Sequence, residues 1–560
     1  MSNAFPKKAK FFLLLGLVLL NVAVRIPAEG QFREHLIDSF NLHALSDEVN
    51  EEHRAKWVVH PLSIFGLYPY SWPAIPVFLV SAISMLTGLG TEESVFVLSM
   101  AVGLAGIGAG YVLGGEFRED FRYRYLFATI VSLAPVFVQE TVWTVPKRAI
   151  FCLEFVILLW LILRYRHRGH DKRYLLLMVP VLFSMPATHR LFLLMPLLLI
   201  GYAGLMAFFM LWRRAHVVIG SHTASTLLRW GAVSFWAASI LGLLYLQSRR
   251  VLWYKDTDMW LYYSTGFFFN GTSPRVIFMN AIIDYWSSIS LFAFVGILGL
   301  MTFVRRPLWD ALLFIIALIG LFSTCIMLGQ YVIYLFIPFF AVMSCEGVFE
   351  FFRLLPPLKR LLVPSLLVAV LLSAGFAGFM TQHWLRKGTT PGVTPLPCED
   401  TYSAALYMRH MLPEGNALCN DFFIAKRVTA YGSVYCYPTY DALYLAFDVI
   451  DIDEVEVRPI ELDELNPNVN TLYVKVDPPD NAIYRIPYVG LKNPREMETK
   501  ERYDFHYAVI NNNMPTRLKY WTTMHKSPLF EEIYNKRVTL FRNDLITIAT
   551  LTERETFDRT

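Results

Sequence analysis

Long apolar runs separated by short basic clusters dominate the first two thirds of the chain. The runs cover 11–24 and then roughly 92–114, 125–143, 149–164, 174–187, 190–211, 227–246, 287–304, 308–328, 331–349 and 361–381. Most approach the ~20 residues that a helix needs to cross a hydrocarbon core. The pattern predicts an α-helical polytopic membrane protein of about eleven spans.

The basic clusters orient these spans. Lys7, Lys8 and Lys10 precede the first run; later clusters are Arg118, Arg122 and Arg124, then Arg164, Arg166, Arg168, Lys172 and Arg173. Arg213 and Arg214, Arg305 and Arg306, and Arg353, Lys359 and Arg360 follow. Lys and Arg beside spans stay cytoplasmic, and alternation from an inside N-terminus puts every cluster on that side. The first run reads as an uncleaved signal-anchor, because Arg25 and Pro27 stand where small residues would precede cleavage. A further stretch, Pro73 to Leu89, would flip every later cluster if it crossed. It is therefore expected to lie in the interface as a short broken element, with Pro73, Pro76 and the Gly88–Gly90 exit suiting that role.

The same parity places everything after Thr381 outside. Residues 1–387 form the membrane domain, with an outer loop at 28–91; GTTPGVTPLP at 388–397 is a linker, and 398–560 reads as a small extracytoplasmic α/β domain. Its expected elements are a helix over Thr401–Leu412 and strands near Ala417–Phe423, Ser433–Tyr437 and Thr471–Val476. A helix starting at Ser527-Pro528, with Ser as cap, leads into a strand over Arg537–Arg542. The membrane half shows no internal repeat of the kind duplicated transporter bundles carry.

Composition narrows the class. Of 560 residues 55% are hydrophobic and 17% charged, and the mean hydropathy is +0.42. A soluble chain carries about 25% charged residues, so a cytosolic enzyme, a secreted module and a DNA-binding domain are excluded. The six cysteines contain no C-x-x-C pair. Cys152, Cys325 and Cys345 lie in apolar runs and read as inert, while a bridge between two of Cys398, Cys419 and Cys436 stays open.

Candidate chemistry concentrates in the first outer loop, where Glu29, Glu34, His35, Asp38, His43, Asp47 and Glu48 follow the first span. Leu36, Ile37, Phe40, Leu42, Leu45 and Val49 recur at near-helical spacing and predict an amphipathic helix on the membrane surface. His35 and Asp38 are three apart and share a face. A carboxylate at the mouth of a lipid-facing cavity is partly desolvated and a better base for it.

Several phrases carry a resemblance: Arg25-x-Pro27, DSFNLHALSDEV, Leu67-Tyr68-Pro69-Tyr70-Ser71-Trp72-Pro73 and Leu86-Thr87-Gly88. PVFVQET at 135–141, Thr188-His189-Arg190 and the tail phrase SPLFEEIYNKRVTLFR add to it. The chain resembles the GT-C superfamily of integral-membrane glycosyltransferases. It looks most like the microbial mannosyltransferase-like and aminoarabinose-transferase-like members with an outer C-terminal domain. The resemblance implies a polyprenyl-phosphate-linked sugar donor and transfer of a hexose or pentose, with inversion, to a glycan, lipid or protein hydroxyl on the outer plasma-membrane face. Asp38 matches the family's first-loop aspartate and would act as general base.

Charge development in such a transfer asks for a base on one side of the sugar and cations on the leaving phosphate. Arg148, Arg190, Arg249, Arg250 and Lys147 are the candidate lipid-phosphate contacts, and His35, His43 and Tyr68 possible supporting groups. Where several family members place a second acid, this chain reads WTVPKR, and the nearest acid is Glu140. Use of a divalent cation, Mg or Mn, is therefore left open. The WWDYG motif of oligosaccharyltransferases is absent, which disfavours transfer of whole glycans to Asn. A lipid transporter or flippase and a non-catalytic cell-envelope scaffold are the alternative functions.

Overall fold

The structure, a computed structural model, describes residues 6–26, 33–35, 37–53, 74–167, 171–189, 191–192, 195–196, 199–200, 203–204, 299, 329–354, 362–386, 399–413, 415–432, 434, 436–437, 455–458, 471–476, 483–487, 505–520 and 523–551. The chain divides into two compact units: Met1–Ile26, Met100–Val142 and Lys147–Gln382 form one, and Pro27–Ser99, Trp143–Pro146 and His383–Thr560 the other. Residues 28–91 and the C-terminal residues thus fall in the same unit.

The described elements of the first unit are helices. They are α1 (Lys7–Arg25), the body of α4 (Thr91–Phe117), α5 (Phe121–Ser132), α6 (Pro135–Gln139), α7 (Lys147–His167), α8 (Lys172–Thr188), α9 (Gly329–Leu354) and α10 (Leu362–Arg386). Among the described residues three helices are long and apolar enough to cross a membrane: Thr91–Phe117, Ile333–Leu354 and Pro364–Thr381. The expected runs at 190–211, 227–246, 287–304 and 308–328 lie largely outside the described residues. The run at 125–143 is not one helix. Leu133 and Ala134 leave helical geometry, Ala134 being extended (ψ 123°) ahead of Pro135, which opens α6 at its first turn. Steric conflict with a following proline ring disfavours the α region, and proline suits a helix's first position.

Leu17, Ile107, Phe121, Tyr125, Ala128, Leu133, Val370 and Ala374 pack into one apolar cluster of this unit. Close approach of α4 to α5 requires glycine: a Cβ at Gly110 would stand 2.9 Å from the Ala128 Cα. Between membrane helices small residues let backbones meet and gain packing. Gly110→Ala is expected to destabilise the protein by about 1–3 kcal/mol through overpacking, read as a lower melting temperature in detergent; an unchanged melting temperature would refute this tight contact.

Arg25 is fully buried and donates to Thr141 Oγ1 (2.8 Å), Asn21 Oδ1 (2.8 Å) and the Ser132 carbonyl (2.9 Å). It ties the end of α1 to both sides of the α5–α6 break, one residue from Glu140.

The second unit begins with α2 (Ile37–Glu52) and α3 (Ala74–Thr87). The predicted loop helix forms, but its apolar side packs inside the protein: Phe40, Leu42, Leu45 and Val49 are all buried. Instead of a broken element, α3 is continuous, with Pro76 tolerated in its first turn. Its 14 residues span about 21 Å, short of the ~30 Å hydrocarbon core. Ser81 Oγ donates to Asn50 Oδ1 (2.6 Å) and Ser46 Oγ to the Val77 carbonyl (3.3 Å), fastening α3 to α2.

Among the described C-terminal residues, α11 (Glu399–Met411), α12 (Phe422–Gly432) and α13 (Pro528–Lys536) accompany ten strands. Strands β1 (Asn416–Cys419), β2 (Cys436–Tyr437), β6 (Phe505–Asn511), β9 (Thr539–Arg542) and β10 (Ile546–Thr550) form a sheet of order β2-β1-β6-β10-β9. Its β2, β1 and β6 are parallel and its β10 and β9 antiparallel. Strands β3 (Val455–Arg458), β4 (Thr471–Val476) and β5 (Ile483–Pro487) form a second sheet, and β7 (Arg517–Tyr520) and β8 (Thr523–Lys526) a third.

Two local expectations are corrected. The predicted strand Ala417–Phe423 stops at Cys419, because Asp421 Oδ1 accepts from the backbone N–H groups of Phe423 (2.8 Å) and Ile424 (3.3 Å) and starts α12. Ser527 occupies the cap position of α13 without a side-chain cap bond. Cys419 and Cys436 are buried free thiols that touch each other, and Cys398 lies outside the described residues. Phe40 joins the core formed by Ala404, Met408, Ala425, Val428, Tyr431, Val509 and Ile548.

Candidate functional site

The candidate residues fall into both units. In the second unit the chain enters α2 through Arg33, Glu34 and His35. The His35 N–H donates to the Trp143 carbonyl (3.1 Å), and the Glu34 N–H to Glu92 Oε1 (3.2 Å). Ser39 Oγ donates to Glu34 and accepts from the Val145 N–H (2.7 Å). These bonds fix the segment that carries Asp38, the second residue of α2, which is half-buried.

Sequence reasoning missed Lys426 of α12, which is buried and feels the charge of Asp38. Burial lowers the Lys426 ammonium to about 8, against the opposing pull of Cys436 and Asp38. The neighbouring Arg427 is also buried; its guanidinium lies 5.9 Å from the Phe40 ring centre and its charge reaches His35. The only sequence signal for this pair was a Lys-Arg step inside the apolar segment FFIAKRVTAYG.

The two histidines differ sharply. His43 Nδ1 donates to Glu34 Oε2 (2.5 Å), and Nε2 lies 3.4 Å from Asp47 Oδ2. Burial opposes its charge, but Glu34 and Asp47 outweigh burial and hold the imidazolium well above its usual range. Burial likewise works against ionised Asp47, yet His43 and the Thr91 hydroxyl leave its carboxyl below the usual range. His35 is 1% exposed, and among the described residues neither ring nitrogen has a hydrogen-bond partner. Burial pushes it down to about 4, with Arg427 adding to the effect.

These shifts set an acid sensitivity. A histidine held neutral in the folded state is protonated first in the unfolded one, so stability falls as pH drops from 6.5 towards 4. The loss from His35 is about 3 kcal/mol across that window. His43 acts oppositely, its stabilisation being complete below pH 6.5 and lost as pH rises through its raised folded value. Melting temperature against pH is expected to flatten between 6.5 and 4 in His35→Phe; an unchanged slope would contradict the assignment.

In the first unit Glu140 follows α6 and is buried. Its Oε1 accepts from Arg148 Nη1 (2.5 Å) and from the Tyr334 hydroxyl of α9 (3.0 Å). Lys147 opens α7 and is buried beside this pair in sequence. Arg190, Arg249, Arg250 and Tyr68 lie outside the described residues. Among the described residues no three His, Cys, Asp or Glu side chains are grouped to hold a metal ion. With Glu140 already accepting from two donors, the donor set there does not suit a divalent cation.

No family model matches the chain, and no curated protein matches it. Solved structures do. The Archaeoglobus fulgidus oligosaccharyltransferase tethered with an acceptor peptide containing the NVT sequon aligns with TM-score 0.58 and 13% identity, over 98% of this chain and 75% of that one. The archaeal oligosaccharyltransferase AglB from Archaeoglobus fulgidus, in complex with an inhibitory peptide and a dolichol-phosphate, aligns with TM-score 0.53 and 13% identity, over 92% of this chain and 70% of that one. ArnT from Cupriavidus metallidurans bound to undecaprenyl phosphate aligns with TM-score 0.53 and 13% identity, over 98% of this chain and 99% of that one. The chain has the GT-C glycosyltransferase fold.

Proposed function

We propose that the protein is a membrane glycosyltransferase that moves a sugar from a polyprenyl-phosphate carrier to an acceptor hydroxyl on the outer membrane face. The observation that carries this reading is the fold likeness along nearly the full length of ArnT, whose structure holds undecaprenyl phosphate. The half-buried Asp38, whose charge reaches the buried Lys426, supplies the candidate base.

In the proposed reaction Asp38 takes the acceptor proton as the acceptor oxygen attacks the anomeric carbon. The bond from that carbon to the phosphate oxygen breaks, its electron pair leaving with the polyprenyl phosphate, so the anomeric configuration inverts. Lys147 and Arg148, with Arg190, Arg249 and Arg250, are the proposed stabilisers of the phosphate charge that develops. The remaining topology belongs to the same reading: about eleven spans, a cytoplasmic N-terminus and an outer α/β domain at 398–560.

Mass spectrometry of lipid retained by the purified protein tests this reading. Polyprenyl phosphate or its sugar-loaded form is expected to co-purify, and added polyprenyl phosphate to raise the melting temperature. A preparation that retains no such lipid and gains no stability from it would count against the donor class.

A further inference from the structure

A third side chain joins the Glu140–Arg148 pair. Tyr334 of α9 is 3% exposed and lies 194 residues from Glu140 along the chain, yet its hydroxyl donates to Glu140 Oε1 (3.0 Å). Arg148 Nη1 donates to that same oxygen (2.5 Å). The backbone of Tyr334 is tied to α7 as well: Cys152, one turn after Arg148, donates from Sγ to the Tyr334 carbonyl (3.7 Å). Next to Glu140, Thr141 Oγ1 donates to the Phe137 carbonyl (2.8 Å) and accepts from Arg25 (2.8 Å), so the turn that carries the acid is held too. Within the pair the arginine is the side chain that reaches the surface, at 19% exposure against 4% for Glu140.

Two donors on one carboxylate oxygen do what a single donor cannot. The terminal torsion of a glutamate is broad and roughly two-fold, so one bond leaves the carboxylate plane loosely set. A second donor from another helix fixes that plane, and with it the direction of the guanidinium bonded there. A guanidinium is a planar fork of five donors and can serve two oxyanions on different edges. Nη1 makes the bond to Glu140, so the opposite edge is the one that a phosphate would meet.

We propose that Tyr334 is a positioning residue for the lipid phosphate: by fixing Glu140 it aims the Arg148 guanidinium at the phosphate of the polyprenyl carrier. The assignment rests on the reading of Arg148 as a phosphate contact. The effect of Tyr334 passes through Glu140 and Arg148. In Tyr334→Phe the carboxylate keeps Arg148 as its donor but turns freely with it, and the phosphate loses a directed, charge-assisted contact. Recognition of the polyprenyl tail does not depend on this bond.

Equilibrium binding of undecaprenyl phosphate and of undecaprenol to the full-length protein in detergent reads the phosphate preference directly. Wild type is expected to bind the phosphorylated lipid more tightly. Tyr334→Phe is expected to lose about 10-fold of that preference, the worth of one hydrogen bond to a charged group, with its affinity for undecaprenol unchanged. A loosened fold would weaken both lipids together, and that result overturns the proposal; so does a preference equal to that of wild type. The Glu140→Gln/Arg148→Met background supplies the second measurement. Adding Tyr334→Phe there is expected to leave the preference where it stands, because the groups it acts through are gone. A further loss in that background overturns the proposal, since Tyr334 would then act independently of the pair. Wild type binding both lipids equally would refute the donor class along with it, whereas a preference that survives Tyr334→Phe removes the role of Tyr334 alone.

Discussion

Asp38→Asn is expected to lower kcat for sugar transfer by about 10²–10⁴-fold, the usual contribution of a general base, while leaving the fold intact. The substitution keeps the shape of the side chain and removes its basicity. Asp38 is half-buried near the start of α2, outside the Glu34–His43–Asp47 chain that fills the helix interior. KM for the donor should change little, because the base acts on the acceptor proton rather than on the lipid. Full transfer activity in this variant would remove Asp38 from the mechanism.

Arg148→Met is expected to destabilise the protein by about 3–5 kcal/mol, because it strands the Glu140 carboxylate in a buried site. Tyr334 remains as a hydrogen-bond donor to Glu140 but brings no charge. The double variant Glu140→Gln/Arg148→Met should recover more than half of that loss, since neither charge is then left alone. Thermal melting of both single variants and the double variant closes the cycle. Additive losses would show that the two side chains do not depend on one another.

Much of the architecture was legible in the chain because membrane crossing imposes a length and a hydropathy that few other constraints override. The helices at 91–117 and 362–386 appear where apolar runs predicted them. The loop helix bearing Asp38 was legible from the recurrence of Phe40, Leu42, Leu45 and Val49, although the same apolar side is also what a packed interior demands. What escaped was local chemistry with a long-range partner. Pro135 splits the 125–143 run through a backbone restriction that hydropathy does not register. Asp421 turns a strand-like run into α12 by capping it. Lys426 comes under the charge of Asp38 only because α12 packs on α2, an arrangement that no spacing rule within one sequence can supply. Glu140 was visible as an isolated acid, but its pairing with Arg148 needed the turn that Arg25 holds through Thr141.

The most direct measurement follows the donor itself. Purified protein reconstituted in vesicles with a polyprenyl-phosphate-linked sugar and an acceptor should release free polyprenyl phosphate in equal amount to glycosylated acceptor, and Asp38→Asn should release almost none. Lipid carried between leaflets with its sugar still attached, or no donor cleavage with any acceptor, would contradict glycosyl transfer as the function.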